Sequence, residues 1–179
     1  MQNSNIRKMS VMAMLVALLV VCSQISVPVG SVPVTAQPLA IMLIGLLLSP
    51  KYAVATVLVW VLAGGVGLPF FANFKSGFGV LLGPTGGYIY GYIIGVFIMS
   101  LIAGAGKNFS WARSILACVA GMVFVYLLGA VQLKILMDLD SFAAAFVVGG
   151  VPYIFFEPLK VALAVIVAKV ADSRGLQRF

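Results

Sequence analysis

Residues 151–165 read VPYIFFEPLKVALAV. From Ser141 to Ala168 only Glu157 and Lys160 carry charge, so an acid and a base share the middle of an apolar run. That run is long enough to cross a bilayer, which takes about 20 apolar residues. An ionisable side chain near the bilayer centre costs roughly 2.5 to 3.5 kcal/mol on insertion scales. The pair is therefore either a ligand-binding group or an ion pair that fixes helix packing, and both readings turn it towards the protein interior. Glu157 precedes Pro158, which biases it away from the helical region. It fits the N-cap position, with Pro158 as the first helical residue. Lys160, three residues on, reaches the same small volume. Gly149, Gly150 and Pro152 just upstream predict a broken helix, and polar groups at such a break are a common way to build a transporter binding site.

The rest of the chain agrees with a membrane protein. Its 179 residues are 63% hydrophobic and 8% charged, with a mean hydropathy of +1.20. A soluble protein is typically about 25% charged. Histidine is absent, and the two cysteines, Cys22 and Cys118, both sit in apolar runs. No metal cluster, cofactor site or disulfide framework is expected from such a set. The basic residues form no patch, which argues against a nucleic-acid partner and for a topology signal instead.

Six apolar spans are expected, at residues 9–27, 38–49, 52–68, 80–106, 114–137 and 142–171, in one integral membrane domain covering 1–179. The first follows Arg7 and Lys8 like a signal peptide, but its apolar run is long and no A-x-A site follows. It reads as a retained helix. Six spans put both termini on one side. Arg7, Lys8, Lys51, Lys107, Arg113, Lys169, Arg174 and Arg178 fall on that side, and Lys75 and Lys134 on the other. The positive-inside rule then places both termini in the cytoplasm.

The connections are informative. PVGSVPVTAQP (Pro28 to Pro38) carries three prolines and a glycine but no charge. Such irregular backbone is tolerated near membrane depth when it packs in protein or lines a cavity. GLPFFANFKSGFG (Gly67 to Gly79) reads as a lid, a re-entrant loop or an interfacial aromatic belt. Gly83, Gly87, Gly91 and Gly95 recur every four residues, the pattern of close helix packing. In GPTGG, Pro84 suits the first turn of a helix, whose free N–H groups suit an anion or polar ligand.

Four segments together carry a resemblance: SVPVTAQ (Ser31 to Gln37), GLPFFAN (Gly67 to Asn73), GPTGGY (Gly83 to Tyr88) and PYIFFEPLK (Pro152 to Lys160). In order and spacing they resemble the signature segments of the BioY family, the biotin-specific S components of energy-coupling factor (ECF) transporters. The resemblance implies an all-α, six-helix S component in the cell membrane of a bacterium. It would bind biotin with high affinity and work with a membrane T component and two cytoplasmic ATPases. The chain has no G-x-x-x-x-G-K-[ST] phosphate loop of its own, so it is not expected to be an enzyme. The family's last motif usually holds an aspartate, where Glu157 keeps the charge and adds a methylene. Ala13 and Ala17 look like the small-residue patch through which S components meet the T component, although the spacing equally suits packing inside the bundle.

Biotin's ureido ring offers two N–H donors and one carbonyl. Glu157 and Lys160 supply the complementary acceptor and donor, and Gln37 can serve as either. Tyr88, Tyr153 and nearby phenylalanines are candidate walls for the sulfur and aliphatic tail. The biotin carboxylate needs a donor from Asn73, Lys75 or the GPTGG amides around Thr85. Two other classes stay open. One is a stand-alone secondary carrier in which Glu157 takes up a proton. The other is a non-transporting subunit whose ion pair only holds helices together.

Overall fold

The computed structural model describes residues 2–27, 32–104, 108–151 and 155–174, with side chains from Ile6 onward. Tyr153, Lys107, Arg178 and the Pro28 to Ser31 part of the first loop lie outside the described residues. The described α-helices are α1 (Gln2–Gln24), α2 (Gln37–Leu47), α3 (Pro50–Gly65), α4 (Phe78–Leu82), α5 (Gly86–Ala103), α6 (Trp111–Leu136), α7 (Phe142–Gly149) and α8 (Glu157–Ser173). Two-residue strands β1 (Ser26–Val27) and β2 (Val34–Thr35) pair antiparallel, with Ser26 opposite Thr35. They zip the ends of the first loop together ahead of α2.

Apolar residues lie on both sides of these helices. On α1, Leu15, Leu19, Cys22 and Ser23 face inward at helical spacing, while Met9, Met14, Leu18 and Val21 are exposed. Among the described residues, three helical stretches, Ile6–Gln24, Gly86–Ala103 and Trp111–Leu136, are long and apolar enough to cross a membrane. The short α2 packs against α1, α3, α5, α6 and α8 and is the centre of the bundle. Pro38 in its first turn has no N–H to strand there.

The tightest seam joins α5 to α6. A Cβ on Gly87 would fall 2.4 Å from the Leu128 carbonyl oxygen, and one on Gly91 would fall 2.7 Å from Val125 Cα. A Cβ on Gly129 would meet the Tyr88 ring at 2.3 Å. The packing reading of the glycine stripe holds, with one correction. Gly83 is not on the helix, because the expected fourth span is interrupted by a turn at residues 83–85 that separates α4 from α5. Pro84 therefore sits in that turn rather than in a helical first turn, and Thr85 is the N-cap. The Gly86 N–H is donated to the Gly83 carbonyl at 3.0 Å, so that amide is engaged within the turn.

The sixth span is interrupted where Gly149 and Gly150 predict, between α7 and α8. Ser141 caps α7 by accepting a hydrogen bond from the Ala144 N–H at 3.1 Å. Glu157 is one position further into α8 than expected: Phe156 is the N-cap and its carbonyl accepts from the Lys160 N–H at 3.2 Å. Proline lacks an N–H to offer, so a start with Pro158 as the second helical residue leaves no extra donor stranded.

Candidate functional site

A cavity of about 260 Å³ opens between the start of α2, α5, α6 and the loop that follows α3. It is a little below the roughly 300 to 1,000 Å³ range of small-molecule sites. Five of the sequence-predicted residues line it: Gln37, Asn73, Lys75, Thr85 and Tyr88. Tyr92, Met122, Val125 and Tyr126 complete an apolar and aromatic wall.

Each side chain is positioned by its own element. Gln37 is buried at the start of α2; its carboxamide donates to Ser23 Oγ at 2.9 Å. Its carbonyl accepts from the hydroxyls of Thr35 at 3.2 Å and Tyr92 at 3.4 Å. Ser23 in turn donates to the Leu19 carbonyl at 2.7 Å. Tyr88, in the first turn of α5, donates to the Gly149 carbonyl at 2.9 Å and ties the end of α7 to α5. Gly149 must be glycine for this contact, since a Cβ there would lie 2.0 Å from the Tyr88 hydroxyl.

Asn73 and Lys75 are carried by the loop, and both are exposed at its surface. The Asn73 carbonyl accepts from Ser26 Oγ, which leaves its NH₂ as the end available to a ligand. An amide donor beside an ammonium suits a carboxylate. The loop is pinned by Phe71, which is buried against Trp60 with ring centroids 5.1 Å apart. Trp60 Nε1 also donates to the Phe70 carbonyl at 3.2 Å.

Glu157 and Lys160 form an ion pair at 2.9 Å, with side chains only 12–13% exposed. Glu157 Oε2 is buried and has no hydrogen-bond partner among the described residues. The pair does not line the first cavity. Glu157 lies instead at one end of a second, nearly apolar groove of about 630 Å³ between α6 and α8, and Lys160 lines neither space. Met122 and Tyr126 line both spaces and form their shared wall. A ligand reaching Glu157 from the first cavity must pass these two side chains.

Ala13 and Ala17 are exposed on α1, away from the bundle interior. Sequence reasoning missed Ser23, Gln24, Ser26, Tyr92 and Gln132. Gln132 donates to the carbonyls of Leu81 and Gly83, at 3.1 and 2.7 Å, and anchors the turn before α5. An amide inside the apolar α6 was a signal of the same kind as Glu157.

The chain matches the family model described as the BioY family over residues 1–176. It is 40% identical over 152 residues to "Biotin transporter BioY" of Thermotoga maritima, covering 85% of this chain and 88% of that protein. It is 38% identical over 163 residues to "Probable biotin transporter BioY" of Pyrococcus horikoshii, covering 91% and 94%. Its fold is similar to a crystal structure of the S-component for biotin from an ECF-type ABC transporter. The TM-score is 0.87 at 21% identity, covering 97% of this chain and 94% of that one.

Proposed function

We propose that this chain, which belongs to the BioY family, captures biotin as the S component of an ECF-type transporter. The observation that carries the reading is the convergence of Gln37, Asn73, Lys75, Thr85 and Tyr88 on one cavity. Donors from the loop, Asn73 and Lys75, receive the carboxylate. Tyr88 and the aromatic wall hold the tail and sulfur, a role the family resemblance also gives to Tyr153, which lies outside the described residues. Ureido recognition falls to Glu157 and Lys160. Past Met122 and Tyr126, the Glu157 Oε2, which has no partner among the described residues, is an acceptor for a ureido N–H. Lys160, which lines neither space, acts through its ion pair with Glu157. Isothermal titration of the detergent-purified chain with biotin tests this. A stoichiometric, saturable complex is expected; no heat and no thermal stabilisation by biotin would sink the reading.

The membrane arrangement belongs to the same proposal. The six spans comprise α1, the short α2 and α3, α4 with α5, α6, and the broken pair α7 and α8. Both termini face the cytoplasm of the cell. Cysteine introduced at position 75 should react with an impermeant reagent from outside and one at position 51 should not. The reverse pattern would invert the topology. Exposed Ala13 and Ala17 meet the T component, whose two ATPases supply the energy. Replacing both with Trp should abolish energised uptake and leave biotin binding intact, whereas loss of both would place the stripe inside the bundle.

A further inference from the structure

Gln24 ends α1, and its side chain makes three hydrogen bonds to the backbone of one distant loop. Its Nε2 donates to the carbonyls of Pro69 at 3.2 Å and Phe71 at 3.3 Å. Its Oε1 accepts from the Phe74 N–H at 2.8 Å. Gln24 does not line the cavity, but the segment it grips carries Asn73 and Lys75, which do.

That segment does not hold its shape through local preference. Asn73 and Phe74 have φ of 59° and 57°, consecutive left-handed residues. For a bulky aromatic this region is a genuine outlier, and it persists only where the surroundings determine it. Phe74 is 70% exposed, so packing of its own side chain does not impose the conformation. On one side the loop is fixed by buried Phe71 and by the Phe71 N–H donated to the Lys75 carbonyl at 3.1 Å. On the other side, the Phe74 N–H is met by Gln24. Ser26, two residues after Gln24, then donates to Asn73 Oδ1 and fixes which end of that amide is free.

We propose that Gln24 is a positioning residue: a latch that holds the left-handed Asn73–Phe74 turn, keeps Asn73 and Lys75 over the cavity, and sets how long the ligand stays. This rests on the biotin-binding reading above. Because Gln24 does not line the cavity, it acts through the loop.

The test uses Gln24→Met, which keeps the length of the side chain and removes all three hydrogen bonds. Biotin dissociation from the full purified chain should quicken by at least about tenfold, with association changed by less than about threefold. The melting temperature without biotin should fall modestly, since three hydrogen bonds to the loop are lost, and should not collapse. Placed on an Asn73→Ala, Lys75→Ala background, Gln24→Met should have much less than its single effect, because the residues it positions are already gone. Gln24→Glu is a second variant: it retains the acceptor for Phe74 and turns an oxygen towards the carbonyls of Pro69 and Phe71, so it should quicken dissociation too. An unchanged dissociation rate, full multiplicativity on the double-alanine background, or a collapse of melting temperature in both variants would overturn the latch. A parent chain that binds no biotin would overturn the function reading itself.

Discussion

Two of the polar clusters among the described residues, those around Gln37 and Glu157, differ in how fully their hydrogen-bonding capacity is used. Around Gln37, the carbonyl accepts from two hydroxyls, the amide donates to Ser23, and the Ser23 hydroxyl donates to the Leu19 carbonyl. At Glu157, one carboxylate oxygen is bonded to Lys160 and the other is buried with no partner among the described residues. A buried acceptor without a donor costs about 1 to 3 kcal/mol, and more when charged. The first cluster braces α1, the first loop, α2 and α5. The second leaves one acceptor open among the described residues, and the proposed function assigns it to a ureido N–H.

The largest expected effect breaks the second cluster. Lys160→Ala should weaken biotin binding by well over tenfold, because it strands Glu157, the proposed ureido acceptor, as an unpaired buried charge. Glu157→Gln keeps the shape and removes the charge; a charge-assisted bond contributes about 1.5 to 3 kcal/mol, so binding should fall tenfold or more. Titration calorimetry reads both. If both variants bind like the parent and only melt earlier, the pair is structural and the comparison fails.

Breaking the first cluster should do the opposite. Gln37→Leu should lower stability by about 1 to 3 kcal/mol, because the Thr35 and Ser23 hydroxyls lose a partner. Biotin affinity should fall by less than tenfold. A larger loss of affinity than of stability would make Gln37 a direct ligand contact and sharpen its role.

The smallest effect is expected at Tyr88, which belongs to both the cavity wall and the tie to α7. Tyr88→Phe removes one neutral hydrogen bond to Gly149, about 0.5 to 1.5 kcal/mol of stability. The ring stays in the wall, so affinity should change by less than about threefold. A greater drop would show that the hydroxyl touches the ligand.

Local signals made part of this legible. The glycine spacing announced the α5–α6 seam, and Gly149–Gly150 announced the interruption before Glu157. Charge in an apolar run marked Glu157 and Lys160. Other features had no local signal. Gln24 reaches Phe74, 50 residues away, and Gln132 reaches Leu81, 51 residues away; neither pairing leaves a periodicity to read. The split of the fourth span was hidden because apolar residues continue on either side of the turn. Placement of the ion pair beside a second groove follows from how α8 packs against α6 and α2, which no spacing within residues 151–165 encodes.

The α5–α6 seam also has a mechanical meaning. Backbone lies against backbone at Gly87 and Gly91, and Gly95 lies close to Gly121. Interlocked surfaces of this kind slide poorly, because any shift drives atoms into one another. The two helices should therefore behave as a single rigid plate, with the loop from Gly67 to Gly79 as a part that can hinge against it. Spin labels at Ile94 and Val123, both exposed on the plate, should keep one narrow distance distribution with and without biotin. A label pair from Phe74 to Val123 should change its distribution when biotin binds.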